Sequence, residues 1–234
     1  MVTQLYEWIQ RLNSRKRGVM VRMLIAVAIF VYVGFKAREL LPAFDVNVMV
    51  SFFLLYLFWT TVAETLIYKD PDEYVIEDDD QKSYIYLQMT FMVALFFATI
   101  DFVGLHITRI RILEPYVVYA GFGVFIVSCL VRWWGFNSIG KFFNPRVSVY
   151  QNHQLITTGA YNHIRHPLYL GSLLSFLAIA MVFNSWGALL LMMLITVPAV
   201  IYRINIEEEL LSRHFGNDYR EYVNRTKKLI PGIW

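Results

Sequence analysis

The sequence predicts an all-α integral membrane protein with about six transmembrane helices. Hydrophobic residues make up 57% of its 234 residues and charged residues 17%, whereas soluble domains are about 45–50% apolar and about 25% charged. The apolar residues are gathered into runs close to the length of about 20 residues with which a helix crosses a bilayer. Composition and run length together predict helices surrounded by lipid and joined by short polar segments.

Six apolar runs are predicted to span the membrane. They are Val19–Phe35, Val46–Tyr68, Tyr84–Ile107, Tyr116–Trp134, Leu168–Phe183 and Trp186–Ile206. The first run follows several basic residues, but it has no small-residue cleavage site, so we expect an uncleaved anchor. We divide the chain into N-terminal helices, residues 1–114, with about three spans, and a core, residues 115–234, with three spans and a polar tail.

The distribution of basic residues predicts the orientation. Six spans place both termini on one side, and lysine and arginine are concentrated at the N-terminus, between residues 135 and 166, and in the tail. Because basic loops favour the cytoplasm, we expect both termini and any site near them to be cytoplasmic. A bacterial inner membrane and an endoplasmic reticulum membrane fit equally well.

Two polar clusters are predicted to meet at one membrane face. Only Asn184 and Ser185 separate the last two apolar runs, and so short a connection makes antiparallel helices. The segment Arg165-His166-Pro167 before the hairpin and Glu207-Glu208 after it therefore return to the same face. Pro167 suits the first turn of its helix, where no N–H is needed.

Several function classes are excluded or disfavoured by the sequence. It has no basic stripe interleaved with aromatic residues, so we expect no nucleic-acid partner. Gly121-Phe-Gly123 lacks the third glycine of a dinucleotide loop, which favours a role in helix packing. We find no zinc motif and expect no metal site. The acidic run Asp78-Asp79-Asp80 lacks the alternation of a calcium loop and is predicted to be solvated.

Polar residues around the final hairpin are the candidates for chemistry. They are His153, Tyr161, His163, Arg165, His166, Tyr169, Arg203, Glu207 and Glu208. The plainer alternative is that arginine and histidine anchor helix ends in the headgroups while the glutamates pair with them. Asp101 and His106 lie within or near a span, as does Glu64, and for these we favour hydrogen bonding between helices.

The order of these motifs resembles the isoprenylcysteine carboxyl methyltransferase family. The resemblance rests on Arg165-His166-Pro167-x-Tyr169-x-Gly171, a hydrophobic hairpin and Glu207-Glu208. It extends to His153-x-Leu155, Gly159-x-Tyr161 and Phe215-Gly216-x-x-Tyr219-x-x-Tyr222, so it covers the chain from about Val147 onwards. Two departures are Ala160, where the family usually has proline, and the ending Gly232-Ile-Trp234.

The resemblance implies S-adenosylmethionine as cofactor, held without a Rossmann domain, and makes residues 115–234 a methyltransferase core. Its implied cofactor-binding residues are His153, Leu155, Gly159, Tyr161, Arg165, His166, Pro167, Tyr169, Gly171 and Glu208. Arg165 suits the methionine carboxylate as a bidentate partner, and tyrosine faces suit the sulfonium by cation–π attraction. The implied catalytic residues are Arg203, Glu207 and Glu208. Arg203 would orient an acceptor carboxylate, and a glutamate would act as base if the acceptor were an amine.

The implied reaction is O-methylation of a carboxylate on a lipid-modified, isoprenylcysteine-like substrate that enters from the bilayer. The nearest alternative is a phospholipid N-methyltransferase. NADPH-dependent sterol reductases share an Arg-His-x-x-Tyr element but have Gly-Trp-Trp and asparagine where this chain has Gly-Ala-Tyr and Pro167, so they are disfavoured. A non-catalytic membrane scaffold with a ligand cavity is a further alternative. The sequence leaves the oligomeric state open.

Overall fold

A computed structural model describes residues 24, 27–28, 31–63, 75–109, 113–150 and 152–230. The chain divides into two compact units, Met1–Thr60 and Thr61–Trp234. In the first unit, residues 31–40 are helical (α1) and helix α2, Ala43–Val62, begins directly after Pro42. Nothing in this division tests the boundary between residues 114 and 115, which stays a prediction.

The second unit carries the remaining elements. They are β1 Val75–Asp78, α3 Ser83–Ile100 with a π turn Asp101–Leu105, α4 Glu114–Ile139 with a 3-10 turn Gly140–Phe142, β2 Ser148–Tyr150, a 3-10 turn Gly159–Asn162, α5 Pro167–Val182, α6 Trp186–Leu191 with a π turn Met192–Thr196, α7 Val197–Phe215 and α8 Asn217–Arg225. The strands pair antiparallel, with Asp78 opposite Ser148. The ribbon therefore holds the segment before α3 beside the loop after α4.

The helices confirm an all-α integral membrane fold, to which the described residues add one short two-stranded ribbon. Among the described residues, four helical segments are long and apolar enough to cross a bilayer: Ala43–Val62, Ser83–Leu105, Glu114–Phe142 and Trp186–Phe215. Helix α5 is also apolar but has 16 residues, about 24 Å at 1.5 Å per residue. The predicted count of six is not confirmed, because the first predicted span lies partly outside the described residues.

Small residues let α4 and α5 pack closely. A Cβ atom on Gly121 would lie 2.8 Å from the backbone nitrogen of Val182, and one on Gly171 would overlap with Cγ of Arg132. Such close approach is typical of glycine at helix interfaces in membranes. The predicted packing role is confirmed for Gly121. For Gly123 the role stays a prediction, because an added Cβ would meet no described atom within 4 Å.

The turn between α5 and α6 is fixed by buried hydrogen bonds. Ser185 caps α6 by accepting from the backbone N–H of Ala188 at 3.2 Å. Thr108 donates to the fully buried carboxylate of Asp101 at 2.6 Å, and its hydroxyl lies 2.9 Å from that of Ser185. The predicted hydrogen bonding between helices is wrong for Asp101, which accepts from Ile107 and Thr108 in the loop after its own helix, while His106 is exposed. Glu64 lies outside the described residues.

The tail folds back across the start of α5. Gly216, at φ +54°, ends α7 in a left-handed conformation that favours glycine, and α8 follows at once. The backbone N–H groups of Arg165 and His166 then donate to the carbonyls of Lys227 and Lys228 at 2.8 and 3.0 Å. These bonds hold the tail against the Arg-His-Pro segment, which positions both for the site described next.

Candidate active site

A cavity of about 230 Å³ lies where α3, α4, α5, α7 and α8 meet the loop that follows α4. Eight of the predicted site residues line it: His153, Leu155, Tyr161, Arg165, His166, Tyr169, Arg203 and Glu207. The two polar clusters that flank the hairpin do meet, because Nε of Arg165 lies 2.8 Å from Oε1 of Glu208. The hairpin argument from the sequence is therefore confirmed in its geometry.

Five predicted site residues do not line the cavity, and one of them, His163, is exposed with its ring centre 5.5 Å from that of Trp134. Gly171 gives room to the side chain of Arg132 in the packing of α4 on α5. Gly159, at φ +62°, lies against Ser138, whose hydroxyl accepts from the N–H of Ala160 at 3.0 Å. Pro167 begins α5. These three, with Glu208, support the residues that do face the cavity.

Glu208 is bound by three basic side chains. Its Oε1 accepts from Arg165 at 2.8 Å and lies 3.1 Å from Nε2 of His166, while its Oε2 lies 3.0 Å from Nζ of Lys228. Arg165 also donates from Nη1 to the carbonyls of Val223 and Thr226. Arg165 and Glu208 therefore join the start of α5, α7 and the tail, and much of their bonding capacity is used within the protein.

Glu207 is the carboxylate that faces the cavity. Its side chain is 30% exposed, against 17% for Glu208, and it lines the cavity wall whereas Glu208 does not. The hydroxyl of Tyr169 donates to its Oε2 at 2.6 Å. A short hydrogen bond therefore orients one carboxylate oxygen of Glu207, and the side chain remains accessible to a ligand.

Arg203 is held by a nearly complete set of acceptors. Its Nε donates to Tyr169 at 2.8 Å, its Nη1 to Asp80 and Ser83 at 2.7 Å each, and its Nη2 to the carbonyl of Pro145. A guanidinium has five N–H donors, so four are used within the protein. The charge of Arg203 is paired with a carboxylate that comes from the segment before α3.

Asp80 was predicted to be solvated, and this is wrong. Besides Arg203, its carboxylate accepts from the N–H groups of Tyr84 and Val147 at 3.2 Å each. Burial opposes its ionisation, but these hydrogen bonds, with that from Arg203 the largest, outweigh burial and lower the pKa of Asp80. Sequence reasoning missed it because the partner residues are 67 and 123 positions away along the chain.

Two further cavity residues were missed. Arg132 lines the cavity from α4, with its guanidinium carbon 5.6 Å from the centre of the Phe136 ring. Arg132 could have been identified from the sequence, because a charged residue inside a predicted span is a functional candidate by default. Tyr219 also lines the cavity, and its buried hydroxyl has no hydrogen-bond partner among the described residues.

The cavity tyrosines outside the helices that span the membrane are protonated donors. Burial, followed by the negative charges of Glu208 and Glu207, raises the pKa of the Tyr219 hydroxyl. Burial also raises the pKa of Tyr222 and, with the charge of Glu207, that of Tyr161. A neutral phenol can donate to an acceptor on a ligand, and its ring face attracts a cation.

Comparisons with known proteins point to membrane methyltransferases. Residues 116–218 match the family model of phospholipid methyltransferases. The protein-S-isoprenylcysteine O-methyltransferase of Schizosaccharomyces pombe is 32% identical over 96 residues, which are 40% of this chain and 41% of that protein. A probable protein-S-isoprenylcysteine O-methyltransferase of Oryza sativa subsp. indica is 27% identical over 120 residues, 50% of this chain and 63% of that protein. The chain therefore matches less than two thirds of the length of either relative.

The fold has a solved counterpart. The structure of a eukaryotic intramembrane Ras methyltransferase, an isoprenylcysteine carboxyl methyltransferase, matches with a TM-score of 0.51 and 18% identity over 99% of this chain and 91% of that chain. The fold is thus similar to that of this solved structure. Together with the curated relatives, this likeness confirms the resemblance to the isoprenylcysteine carboxyl methyltransferase family that the motifs around Arg165 and Glu207 predicted.

Proposed function

We propose that this protein transfers a methyl group from S-adenosylmethionine to the carboxylate of a lipid-modified, isoprenylcysteine-like substrate at the cytoplasmic membrane face. The observation that carries the proposal is one cavity, at the ends of lipid-spanning helices, that combines the carboxylate of Glu207, the guanidinium of Arg132 and several aromatic faces. The similarity to named O-methyltransferases supports the same reaction.

The cavity fits the chemistry of the proposed cofactor. S-adenosylmethionine supplies an activated methyl group on a sulfonium, and it carries an ammonium, a carboxylate and an adenine. Glu207 suits one of the cations, and the rings of Tyr161 and Tyr169 offer cation–π attraction of about 0.5–2 kcal/mol. His153 is stacked on Phe142 with ring centres 4.9 Å apart, which gives a flat surface beside the cavity for an aromatic base. Tyr219 offers a donor to a ligand oxygen or nitrogen.

The structure changes which arginine we assign to the acceptor carboxylate. Arg203 is paired with Asp80 and Arg165 with Glu208, so both are less suited to a second carboxylate. Arg132 lines the cavity from within the span of α4, where a lipid-modified substrate would enter. We therefore assign Arg132 to the acceptor carboxylate, with Arg203 as a support for Tyr169 and Glu207.

The proposed reaction needs no general acid or general base. Methyl transfer is a direct displacement, to which the protein contributes alignment and exclusion of water. A carboxylate acceptor has a reference pKa near 4 and is already ionised at neutral pH. Arg132 would orient it through a charge-assisted hydrogen bond, and no residue has to remove a proton.

A second candidate is N-methylation of a phospholipid amine. The phospholipid methyltransferase match favours it, and Glu207 is an accessible carboxylate that could accept the proton of an ammonium. In that case Arg132 would meet the phosphate of the headgroup. The two candidates share the cofactor and differ in the acceptor.

The test uses the full-length protein in lipid nanodiscs with S-adenosylmethionine labelled in its methyl group. A farnesylated cysteine and phosphatidylethanolamine are supplied separately as acceptors. Alkali releases labelled methanol from a methyl ester but not from a methylated amine, so the product identifies the acceptor. We expect alkali-labile label on the farnesylated cysteine, lost in Arg132→Met. Alkali-stable label on the phospholipid would establish the second candidate, and no label on either acceptor would refute both.

A further inference from the structure

We infer that Asp80 is a positioning residue that pairs with Arg203 and so leaves the negative charge of Glu207 available to the cavity. Asp80 precedes the region that matches the methyltransferase family, residues 116–218. Its Oδ1 lies 2.7 Å from Nη1 of Arg203. The inference rests on the proposed function, because it concerns how the cavity binds a cationic cofactor.

Asp80 is itself firmly held. Ser83 donates to its Oδ1 at 3.2 Å, and backbone N–H groups of Tyr84 and Val147 donate to its two oxygens at 3.2 Å each. The ribbon that pairs Asp78 with Ser148 adds backbone bonds on the same side. The carboxylate therefore joins the start of α3, the loop after α4 and α7, and has little freedom to leave Arg203.

Arg203 lies between two carboxylates. It is 4% exposed, and a buried guanidinium is stable only beside a counter-charge. One neighbour is Asp80, and the other is Glu207, which contacts the same Tyr169 hydroxyl that Arg203 contacts. The three side chains carry one net negative charge, which Glu207 presents to the cavity.

Loss of the Asp80 charge would change that arrangement. Arg203 would then keep Glu207 as its counter-charge, and the net negative charge of these three side chains would disappear. A ligand with a sulfonium should lose affinity, whereas the same ligand with a neutral sulfur should lose less. S-adenosylmethionine and S-adenosylhomocysteine differ in this way, so their affinity ratio reports the charge rather than the shape of the site.

The experiment measures the binding of both ligands to the full-length protein in nanodiscs by calorimetry. We expect Asp80→Asn to weaken S-adenosylmethionine at least threefold more than S-adenosylhomocysteine. Asp79→Asn is the matched control, because the adjacent carboxylate pairs with Arg213, which is 46% exposed and does not line the cavity. Both affinities of the control should stay within twofold. An unchanged affinity ratio in Asp80→Asn would overturn the inference.

A double variant covers the case in which Asp80→Asn does not fold. Asp80→Asn with Arg203→Met removes both charges and leaves Glu207 anionic, so the affinity ratio should return to within twofold of the original; a ratio that stays lowered would contradict the inference. Thermal unfolding without ligand gives an independent measurement. Asp80→Asn and Arg203→Met should each lower the melting temperature. The sum of these two shifts should be larger than the shift of the double variant, because the two charges stabilise each other. Additive shifts would show that the pair is not coupled, whether or not the protein transfers methyl groups.

Discussion

Two neighbouring tyrosines allow a sharp test of the cavity, because their hydroxyl groups are placed in opposite ways. Tyr219 is 2% exposed, lines the cavity and has no hydrogen-bond partner among the described residues. Tyr222 donates to the carbonyl of Tyr161 at 2.6 Å. A buried hydroxyl left without a partner costs about 1–3 kcal/mol. Tyr219→Phe should therefore leave the free energy of unfolding unchanged or raise it by up to about 3 kcal/mol.

Tyr222→Phe should do the reverse. It removes a short hydrogen bond and leaves the carbonyl of Tyr161 without that donor, so unfolding should become easier by about 1–3 kcal/mol. For ligand affinity, Tyr219→Phe should be the harmful variant. If Tyr219 donates to a ligand, its loss should weaken S-adenosylhomocysteine by about 0.5–1.5 kcal/mol, or about two- to twelvefold.

Thermal or denaturant unfolding of the detergent-solubilised protein measures the first effect, and calorimetric titration with S-adenosylhomocysteine measures the second. The two phenylalanine variants are controls for each other, since each loses one oxygen atom and keeps its ring. Equal destabilisation by both variants would refute the reasoning about the Tyr219 hydroxyl. Unchanged affinity in Tyr219→Phe would refute its role as a ligand donor.

Further predictions concern helix packing and charge. Gly121→Ala should destabilise the protein by about 1–3 kcal/mol through overpacking, because the added Cβ would lie 2.8 Å from the backbone of Val182; Gly123→Ala, in open space, should change the melting temperature little or raise it. Gly171→Ala should reduce turnover of the proposed acceptor more than cofactor affinity, because its Cβ would displace Arg132, and steady-state kinetics separate the two effects. The pKa of Asp80 is lowered in the folded state, so its contribution to stability is complete above about pH 4 and is lost as the pH falls through the lowered value. Asp80→Asn should therefore flatten the acid side of a stability profile measured against pH, and a profile that keeps its acid slope would contradict this.

Much of the fold and part of the site could be predicted from local sequence. Lipid-spanning helices follow from run length and composition, because an apolar helix of sufficient length has few other stable environments. The hairpin at Asn184-Ser185 is short enough to force antiparallel helices, which is why the contact between Arg165 and Glu208 was predictable across 43 positions. The helix end at Gly216 is also encoded locally, because glycine adopts the φ of +54° found there more readily than other residues.

Pairings between distant segments were decided only by the tertiary structure. Asp80 looked like part of a solvated acidic run, and only the folding of its segment against α7 gave it Arg203 as a partner. That contact also changes the role assigned to Arg203, because four of its five donors are used within the protein. The sequence by itself determined which residue types gather at one membrane face, because helix length and turn length are local properties. Which of two adjacent glutamates faces the cavity depended on the packing of α5, α7 and the tail, which no local pattern encodes.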